Sequence, residues 1–194
     1  MKNLDKILKK YINNKFYHGV EWKIKFKNDI FQGNLGFSDL SNKSKLKKNS
    51  IYRIWSMTKP IISVVILQLI DENKINFEDP INLFLPEFNN LKVLKKEFHS
   101  IKDVKDVTNM PTIKELLLHT AGFSYNFLDN AVGREYNRKK IFYSEDTTLE
   151  EEIKILSTCP LMHEPSTKWE YSVSIDVLAR IVEVILKDKL YNIL

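Results

Sequence analysis

Ser56 and Lys59 are the residues of this sequence whose types and spacing best fit covalent chemistry. They lie in a Trp-Ser-Met-Thr-Lys segment at residues 55–59, immediately before an apolar run at residues 61–70. A serine hydroxyl is a weak nucleophile until a neighbouring base activates it. Residues three apart on a helix share one face, so Lys59 can reach Ser56. A helix N-terminus also presents unpaired N–H groups that can stabilise an oxyanion.

The spacing alone leaves two interpretations open. In one, burial lowers the pKa of Lys59 enough for it to act as a base. In the other, Ser56 caps the helix and Lys59 extends to solvent. Ser44 and Lys47 repeat the spacing in a lysine-rich loop that no apolar helix follows. A serine–lysine pair is therefore a weak signal by itself.

Composition is typical of a globular domain, since 43% of the 194 residues are apolar and 28% are charged. The net charge of +5 is spread along the chain. Aromatic residues are not interleaved with the cations as they are in proteins that bind single-stranded nucleic acid, so we expect no nucleic-acid partner. The single cysteine, Cys159, excludes an internal disulfide, and no cluster has zinc-site spacing. We expect no metal and no cofactor.

The N-terminal residues are charged and lack the apolar stretch of a signal peptide. The apolar run at residues 61–70 is too short to span a bilayer. These features predict a cytoplasmic protein with no membrane partner.

Hydrophobic periodicity predicts the elements around the serine–lysine pair. The predicted elements are a helix at residues 3–13 and a hairpin of strands 20–26 and 30–37 with its turn at Asn28-Asp29. A short strand at residues 51–54 and a main helix at residues 58–72 follow. Pro60 is tolerated only in a first helical turn, so it fixes the start of the main helix near Ser56 to Lys59. The main helix is apolar around most of its circumference, which indicates a central, buried helix. Asn73 is expected to end it in a left-handed conformation.

Two capping boxes and one apolar face predict the later helices. The capping-box spacing occurs at Thr112 with Glu115 and at Thr148 with Glu151. In a capping box, the side chain of each of the two residues bonds the backbone N–H of the other. A last amphipathic helix is expected at about residues 174–187.

Four segments together are far more specific than the serine–lysine pair. They occur in the order 52–61, 73–88, 116–123 and 165–173. They resemble the nucleophile region, the loop after the nucleophile helix, the leucine-rich helix with an HTSG-type turn, and the catalytic-tyrosine segment of the β-lactamase-related serine hydrolases. That family includes class C β-lactamases, DD-carboxypeptidases and esterases. On this resemblance, which extends over residues 30–186, the sequence is identified as a member of the family.

The resemblance implies roles for three side chains. Ser56 would be the acylated nucleophile, and its backbone N–H would be one oxyanion donor. Lys59 would be the base or the partner of the base, and Tyr171 would share the proton transfer. A tyrosine hydroxyl beside a lysine ammonium has a lowered pKa. Without the resemblance, Tyr171 is better interpreted as a buried aromatic residue before a helix.

Two further motifs are expected to be structural. The resemblance makes His119 part of a turn, with its ring bonded to backbone groups, rather than a catalytic base. Ser124-Tyr125-Asn126 matches the Ser-x-Asn element of class A β-lactamases, but it follows Gly122 too closely and is interpreted as a coincidence. Where Ser166 stands, the family usually has glycine, so a turn of positive φ would be strained and could displace Tyr171.

The resemblance implies an α+β, β-lactamase/transpeptidase-like fold, with an antiparallel sheet flanked by helices and a mainly helical subdomain. Residues 1–194 would form a single, C-terminally truncated domain in which the family's C-terminal strands are missing. One of those strands supplies the second oxyanion donor, so weak or no activity is expected of the chain alone. An exposed sheet edge would favour self-association or pairing with a complementing C-terminal fragment.

The predicted function is a serine hydrolase that forms an acyl-enzyme on a small-molecule ester or amide. Tyr-Ser-Val at residues 171–173 favours an esterase over a β-lactamase or D-peptidase, because a lactamase would more often carry asparagine at Val173 to bond a substrate amide. The alternative is a non-catalytic remnant or interaction module that retains part of the scaffold.

Overall fold

The computed structural model describes residues 2–47, 49–96, 100–143 and 146–194. It contains helices and small antiparallel sheets, as the predicted α+β class requires. Its backbone contacts divide into two compact units, Met1–Ile54 and Trp55–Leu194.

The first unit combines one helix with a three-stranded antiparallel sheet. Its elements are α1 (Lys2–Asn13), β1 (Gly19–Phe26), β2 (Asp29–Asp39) and β3 (Ser44–Lys45), and the sheet order is β1-β2-β3. The turn between β1 and β2 lies at Lys27 and Asn28, one residue earlier than predicted, because Lys27 takes the left-handed φ of +53°. The Trp22 indole N–H donates to Asp5 Oδ1 at 3.2 Å and ties β1 to α1.

Residues 51–54 are not a strand, contrary to prediction. They form irregular backbone, and the side chain of Ile51 is fully exposed. Within the described residues, no strand pairs with this segment. An apolar run alone does not make a strand, because a strand needs a partner for its N–H and C=O groups.

The second unit is mainly helical. Its first element is a 3₁₀ turn at Trp55–Met57, and two similar turns lie at Ile81–Leu83 and Pro86–Phe88. The helices and strands are α2 (Thr58–Asp71), β4 (Lys92–Leu94), β5 (Val104–Asp106), α3 (Ile113–Leu117), α4 (Ala131–Arg138), α5 (Leu149–Leu156), α6 (Ser174–Leu186) and α7 (Leu190–Ile193).

Helix α6 lies at the centre of this unit's core. Val177, Leu178, Ile181 and Val182 expose no surface, and α6 packs against α2, α3 and α5. Each fully buried aliphatic side chain of this size stabilises the fold by roughly 1.5–3 kcal/mol. The Ser56 region begins α2, and the Tyr171 region leads into α6, so this helix pair fixes both parts of the candidate site.

Helix α2 is buried along one face only, which corrects the prediction of a central, buried helix. Ile62, Ile66 and Leu69 are almost completely buried. On other faces, Ile61, Val64 and Leu67 are 43%, 53% and 44% exposed. The apolar composition of α2 therefore predicts more burial than this helix has in the structure.

The predicted helix ends are confirmed. Thr112 with Glu115 and Thr148 with Glu151 both form complete capping boxes. Asn73 has a φ of +56°, and the next residue's N–H donates to Leu69 O at 2.9 Å. These ends are encoded locally, which is why sequence alone was sufficient to find them.

Two features of this unit had no clear sequence signal. Strands β4 and β5 form an antiparallel hairpin of three residues each. Helix α4 begins at Ala131, and its N-cap is Asn130, whose side chain accepts the Gly133 N–H at 2.7 Å. Both elements are too short for hydrophobic periodicity to reveal.

Candidate functional site

Ser56 lies in the 3₁₀ turn that leads into α2, and it does not cap that helix. The N-cap residue is Met57, whose side chain forms no capping hydrogen bond. Trp55 has a φ of +48°, which a bulky residue rarely adopts and which is typical of functional turns. The interpretation of Ser56 as a helix cap is therefore wrong.

The three predicted site residues meet at the Ser56 hydroxyl. Tyr171 Oη lies 2.9 Å from Ser56 Oγ, although the two residues are 115 positions apart. Lys59 Nζ lies 3.3 Å from the same oxygen. Lys59 therefore does not extend away from Ser56, as the capping interpretation required. The Tyr171 hydroxyl donates to Ser56 Oγ, and because each hydroxyl can both donate and accept, the direction of this hydrogen bond can reverse.

Tyr171 is positioned by a ladder of backbone bonds between two irregular segments, residues 119–124 and 162–173. The bonds run from Met162, Ser166, Glu170 and Val173 N–H to the carbonyls of Gly122, Thr120, His119 and Ser124, at 2.8, 2.9, 2.9 and 3.2 Å. Gly122 is needed in this ladder, because its φ is +91° and a Cβ there would lie 2.3 Å from His163 O.

Ser166 occupies a turn of positive φ, as expected, with φ +65°. Its hydroxyl donates a hydrogen bond to Glu115 Oε1. The expected consequence is wrong, because Tyr171 remains within hydrogen-bond distance of Ser56. The bond to Glu115 and the backbone ladder hold the turn despite the strain of a left-handed serine.

His119 has the structural role that was predicted. Its Nδ1 accepts the Ser172 backbone N–H at 3.2 Å, and its ring centroid lies 5.0 Å from that of Tyr171. Burial lowers the pKa of His119, and the Lys59 cation lowers it further. A neutral ring with Nδ1 as acceptor is therefore favoured, and it fixes the residue next to Tyr171.

Tyr125 and Asn126 line the cavity that contains Ser56, whereas Ser124 does not. Ser124 is fully buried and its hydroxyl donates to Glu170 Oε1 at 2.9 Å. Asn126 Nδ2 donates to the Ile141 carbonyl. Lys59 Nζ lies 5.3 Å from the Tyr125 ring centroid. Sequence reasoning missed Tyr125 and Asn126 because it interpreted the Ser-Tyr-Asn motif as a coincidence.

A cavity of about 440 Å³ contains the site. Its polar lining includes Ser56, Lys59, Tyr125, Tyr171 and Asp176. The apolar lining includes Ile62, Phe127, Phe142, Leu149, Ile175 and Leu190. Within the described residues, no three His, Cys, Asp or Glu side chains converge as a metal site would require, and no helix is long and apolar enough to cross a membrane.

The pKa of Lys59 is raised, which reverses the sequence-based reasoning. Burial by itself would lower it, but hydrogen bonds with Tyr125 and Tyr171 outweigh burial, and attraction to the Asp176 carboxylate adds to them. Lys59 is therefore a cation at neutral pH. Burial was the only effect visible in the sequence, whereas the opposing groups come from distant segments.

The pKa of Tyr171 is lowered, as predicted. Burial raises it, but hydrogen bonds with Ser56 and Lys59 and the charge of Lys59 lower it by more. Tyr125 shows the opposite result, because burial and the Asp176 charge raise its pKa to about 12. Of the two tyrosines beside Lys59, Tyr171 is therefore the one suited to accept the proton of Ser56.

Comparison with known proteins identifies the family. The family model described as Beta-lactamase matches residues 8–191. The chain belongs to the beta-lactamase family.

Two relatives and one solved structure show how this chain compares. Protein Rv1367c of Mycobacterium tuberculosis is 32% identical over 161 residues, which are 82% of this chain and 39% of that protein. Esterase EstB of Burkholderia gladioli is 30% identical over 151 residues, which are 76% of this chain and 36% of that protein. The structure of EstCE1, a hydrolase with promiscuous acyltransferase activity, matches 99% of this chain and 48% of its own, with a TM-score of 0.81 and 24% identity. The fold is thus β-lactamase-like, and the chain spans about two fifths of the length of these curated relatives.

Proposed function

We propose that the Ser56 site belongs to a serine hydrolase that acts on small-molecule carboxylic esters through an acyl-enzyme. The observation that carries the proposal is the simultaneous approach of Tyr171 Oη and Lys59 Nζ to Ser56 Oγ, at 2.9 and 3.3 Å. A nucleophile, a proton acceptor and a fixed cation are thereby joined in one constellation.

In the proposed acylation, Tyr171 takes the proton of Ser56 as Oγ attacks the ester carbonyl carbon. The Lys59 ammonium stabilises the negative charge that Tyr171 carries before the transfer. The Ser56 backbone N–H is a donor to the oxyanion of the tetrahedral intermediate. Collapse of this intermediate breaks the ester C–O bond, and the departing alkoxide takes the proton from Tyr171. The acyl group then remains on Ser56 Oγ.

The same groups complete the reaction in reverse order. Tyr171 removes a proton from water, and the water oxygen attacks the acyl carbon. The Ser56 oxygen leaves and regains its proton from Tyr171. The products are the free carboxylic acid and the original hydroxyl group, so no oxidant, metal or cofactor enters the balance.

The preference for esters rests on the relatives rather than on Val173. EstB is named as an esterase and is 30% identical to this chain. Val173 is completely buried and ends the segment that leads into α6. Its side chain therefore packs in the core. A side chain at this position does not reach a substrate amide, so Val173 does not distinguish an esterase from a β-lactamase.

Labelling with a fluorophosphonate tests the proposal. The chain should gain one adduct by intact-mass spectrometry, the Ser56→Ala variant should gain none, and Ser44→Ala should behave as wild type. Equal labelling of wild type and Ser56→Ala would overturn the assignment. Competition by p-nitrophenyl esters, compared with a penicillin, then tests the ester preference.

A non-catalytic interaction module is the second candidate, and the observation that favours it is the edge strand β1, on which the Ile24 and Phe26 side chains are exposed. It predicts a folded chain with no covalent labelling. In that case the edge strand β1 of the first unit is the proposed pairing surface for a second copy or a complementing fragment. Sedimentation velocity, with and without a charged substitution at Ile24, tests this pairing.

A further inference from the structure

We propose that Asp176 is a positioning residue that holds Lys59 as a cation beside Ser56 and Tyr171, and thereby sets the pH range in which Ser56 reacts. Among the described residues that line the cavity, the charged ones are Lys59 and Asp176. The part of this inference that concerns reaction at Ser56 rests on the proposed function. The electrostatic part concerns the protonation of two side chains and can be tested without any reaction.

Asp176 is fixed in place by the start of helix α6. It lies in the first turn of this helix, and its N–H donates to the Val173 carbonyl at 3.0 Å. A carboxylate in a first helical turn is stabilised by the helix dipole. Since Tyr171 comes five residues earlier, the same short segment delivers both side chains to the cavity.

Tyr125 lies beside Lys59 in the same cavity that Asp176 lines. Its ring centroid lies 5.3 Å from Lys59 Nζ and 5.2 Å from the ring centroid of Tyr171. The side chains of Asp176, Tyr125, Lys59, Tyr171 and Ser56 therefore line one cavity between the start of α6 and the start of α2.

Four titratable groups around Asp176 determine how it acts. Lys59 faces it from α2, Tyr125 from the segment after α3, and Tyr171 from the segment before α6. His119 interacts with Lys59 from the turn that follows α3. Burial raises the pKa of Asp176 to about 6, although the Lys59 cation opposes the rise. Asp176 is therefore ionised at neutral pH and loses its charge in mild acid.

The direction of the effect follows from the sign of this charge. The Asp176 carboxylate raises the pKa of Lys59 and also raises that of Tyr171. Replacing it with a neutral group lowers both. Whichever of the two groups limits the reaction, the pH profile of Ser56 labelling in Asp176→Asn should move to lower pH. Opposite charges at close range typically change a pKa by about one unit or more.

The experiment compares the pH dependence of fluorophosphonate labelling in wild type, Asp176→Asn and Asp176→Glu. We expect the profile of Asp176→Asn to move by about one pH unit toward acid, and Asp176→Glu to restore most of the wild-type profile. Tyr125→Phe should give a smaller movement, because it keeps the Asp176 charge and removes only the Tyr125 hydroxyl. Asp106→Asn is the matched control, since Asp106 pairs with Lys92 outside the cavity and its loss should move nothing.

A second readout separates failure of this inference from failure of the proposed function. Phenolate absorbance is measured against pH in wild type and in Tyr171→Phe, and the difference reports the ionisation of Tyr171. Repeating the pair of measurements in the Asp176→Asn background should move that ionisation to lower pH. If wild type is not labelled at Ser56, the proposed function fails, while the absorbance still decides the role of Asp176. Superimposable Tyr171 titrations with and without the Asp176 charge would overturn the inference.

Discussion

Two serine–lysine pairs in this chain share the same spacing and have different surroundings. Ser44 lies in the short strand β3, paired with Asp39, and Lys47 lies in the exposed backbone that follows. Ser56 and Lys59 lie where a 3₁₀ turn becomes helix α2, and their polar atoms are 3.3 Å apart. Three residues of extended chain span about 10 Å, whereas one helical turn returns the side chains to the same face.

The more important difference between the pairs is the third group. Tyr171 reaches Ser56 from 115 residues away, and its position depends on the backbone ladder with residues 119–124. In the described part of the chain, no third group comparable to Tyr171 bonds Ser44 Oγ. The Ser44 carbonyl accepts a hydrogen bond from the Ser38 hydroxyl. Spacing brings a lysine to a serine, and tertiary structure supplies the proton acceptor that makes the pair a candidate site.

The largest expected effect separates the two serines. Ser56→Ala should reduce the hydrolysis of a p-nitrophenyl ester by about 10³-fold or more, because no nucleophile remains for the acyl group. Ser44→Ala should leave the rate unchanged, since its hydroxyl lies on the exposed surface of the first unit. Similar losses in both variants would remove the distinction between the pairs.

The next effect separates two tyrosines. Tyr171→Phe removes the proton acceptor and should slow Ser56 labelling by about 10²–10⁴-fold, the range typical of general acid–base catalysis. Tyr52→Phe is the matched control, because the Tyr52 hydroxyl bonds Glu21 within the first unit. Stopped-flow or quenched labelling rates on both variants make the comparison. An unaffected rate in Tyr171→Phe would mean that Lys59 alone activates Ser56.

A third prediction concerns stability rather than rate. The pKa of Asp176 is about 6 when folded, against an ordinary value of 3.8. The folded state therefore binds the proton more tightly, and this stabilisation is present at acid pH and lost as pH rises through 6. Between about pH 4.5 and pH 7.5, the unfolding free energy of wild type relative to Asp176→Asn should fall by about 2 kcal/mol.

Urea denaturation across that pH range measures this difference. Asp188→Asn serves as control, because the pKa of exposed Asp188 is lowered by hydrogen bonds with Asn192 and the Lys189 backbone. Removing that carboxylate should leave the slope between about pH 4.5 and pH 7.5 unchanged, because Asp188 is ionised in both the folded and the unfolded state throughout this range. A relative stability of Asp176→Asn that does not depend on pH would show that Asp176 is not titrating in this range.

The smallest expected effect compares the two lysines. Lys47→Met changes an exposed side chain and should alter the unfolding free energy by no more than about 0.5 kcal/mol at any pH. Lys59→Met removes the cation that opposes the rise in the pKa of Asp176, so the acid stabilisation should extend to higher pH. Identical pH dependence in the two variants would mean that Lys59 and Asp176 do not interact.

The predictable features of this chain are those encoded within a few residues or in the resemblance. The capping boxes at Thr112 and Thr148 and the left-handed Asn73 follow from local patterns. Helical spacing links Ser56 to Lys59, whereas only the family resemblance adds Tyr171, since no local pattern links residues 115 positions apart.

The features that sequence reasoning missed depend on neighbours from other segments. Tyr125 occupies the variable position of the Ser-x-Asn motif and Asp176 belongs to no motif. Their importance appears only when the fold places them in one cavity with Lys59. The pKa of Lys59 rises because these partners outweigh burial. The strand predicted at residues 51–54 fails for a related reason, because the sequence shows its apolar side chains and not whether a partner strand exists.

Peptide mapping of the fluorophosphonate adduct tests the central claim most directly. Trypsin should release a peptide that begins at Ile54 and ends at Lys74, since the Lys59–Pro60 bond resists cleavage. Fragmentation of this peptide should place the added mass on Ser56, with unmodified Ser44 in the same digest. An adduct on any other residue, or an intact chain without an adduct at any pH, would contradict the account.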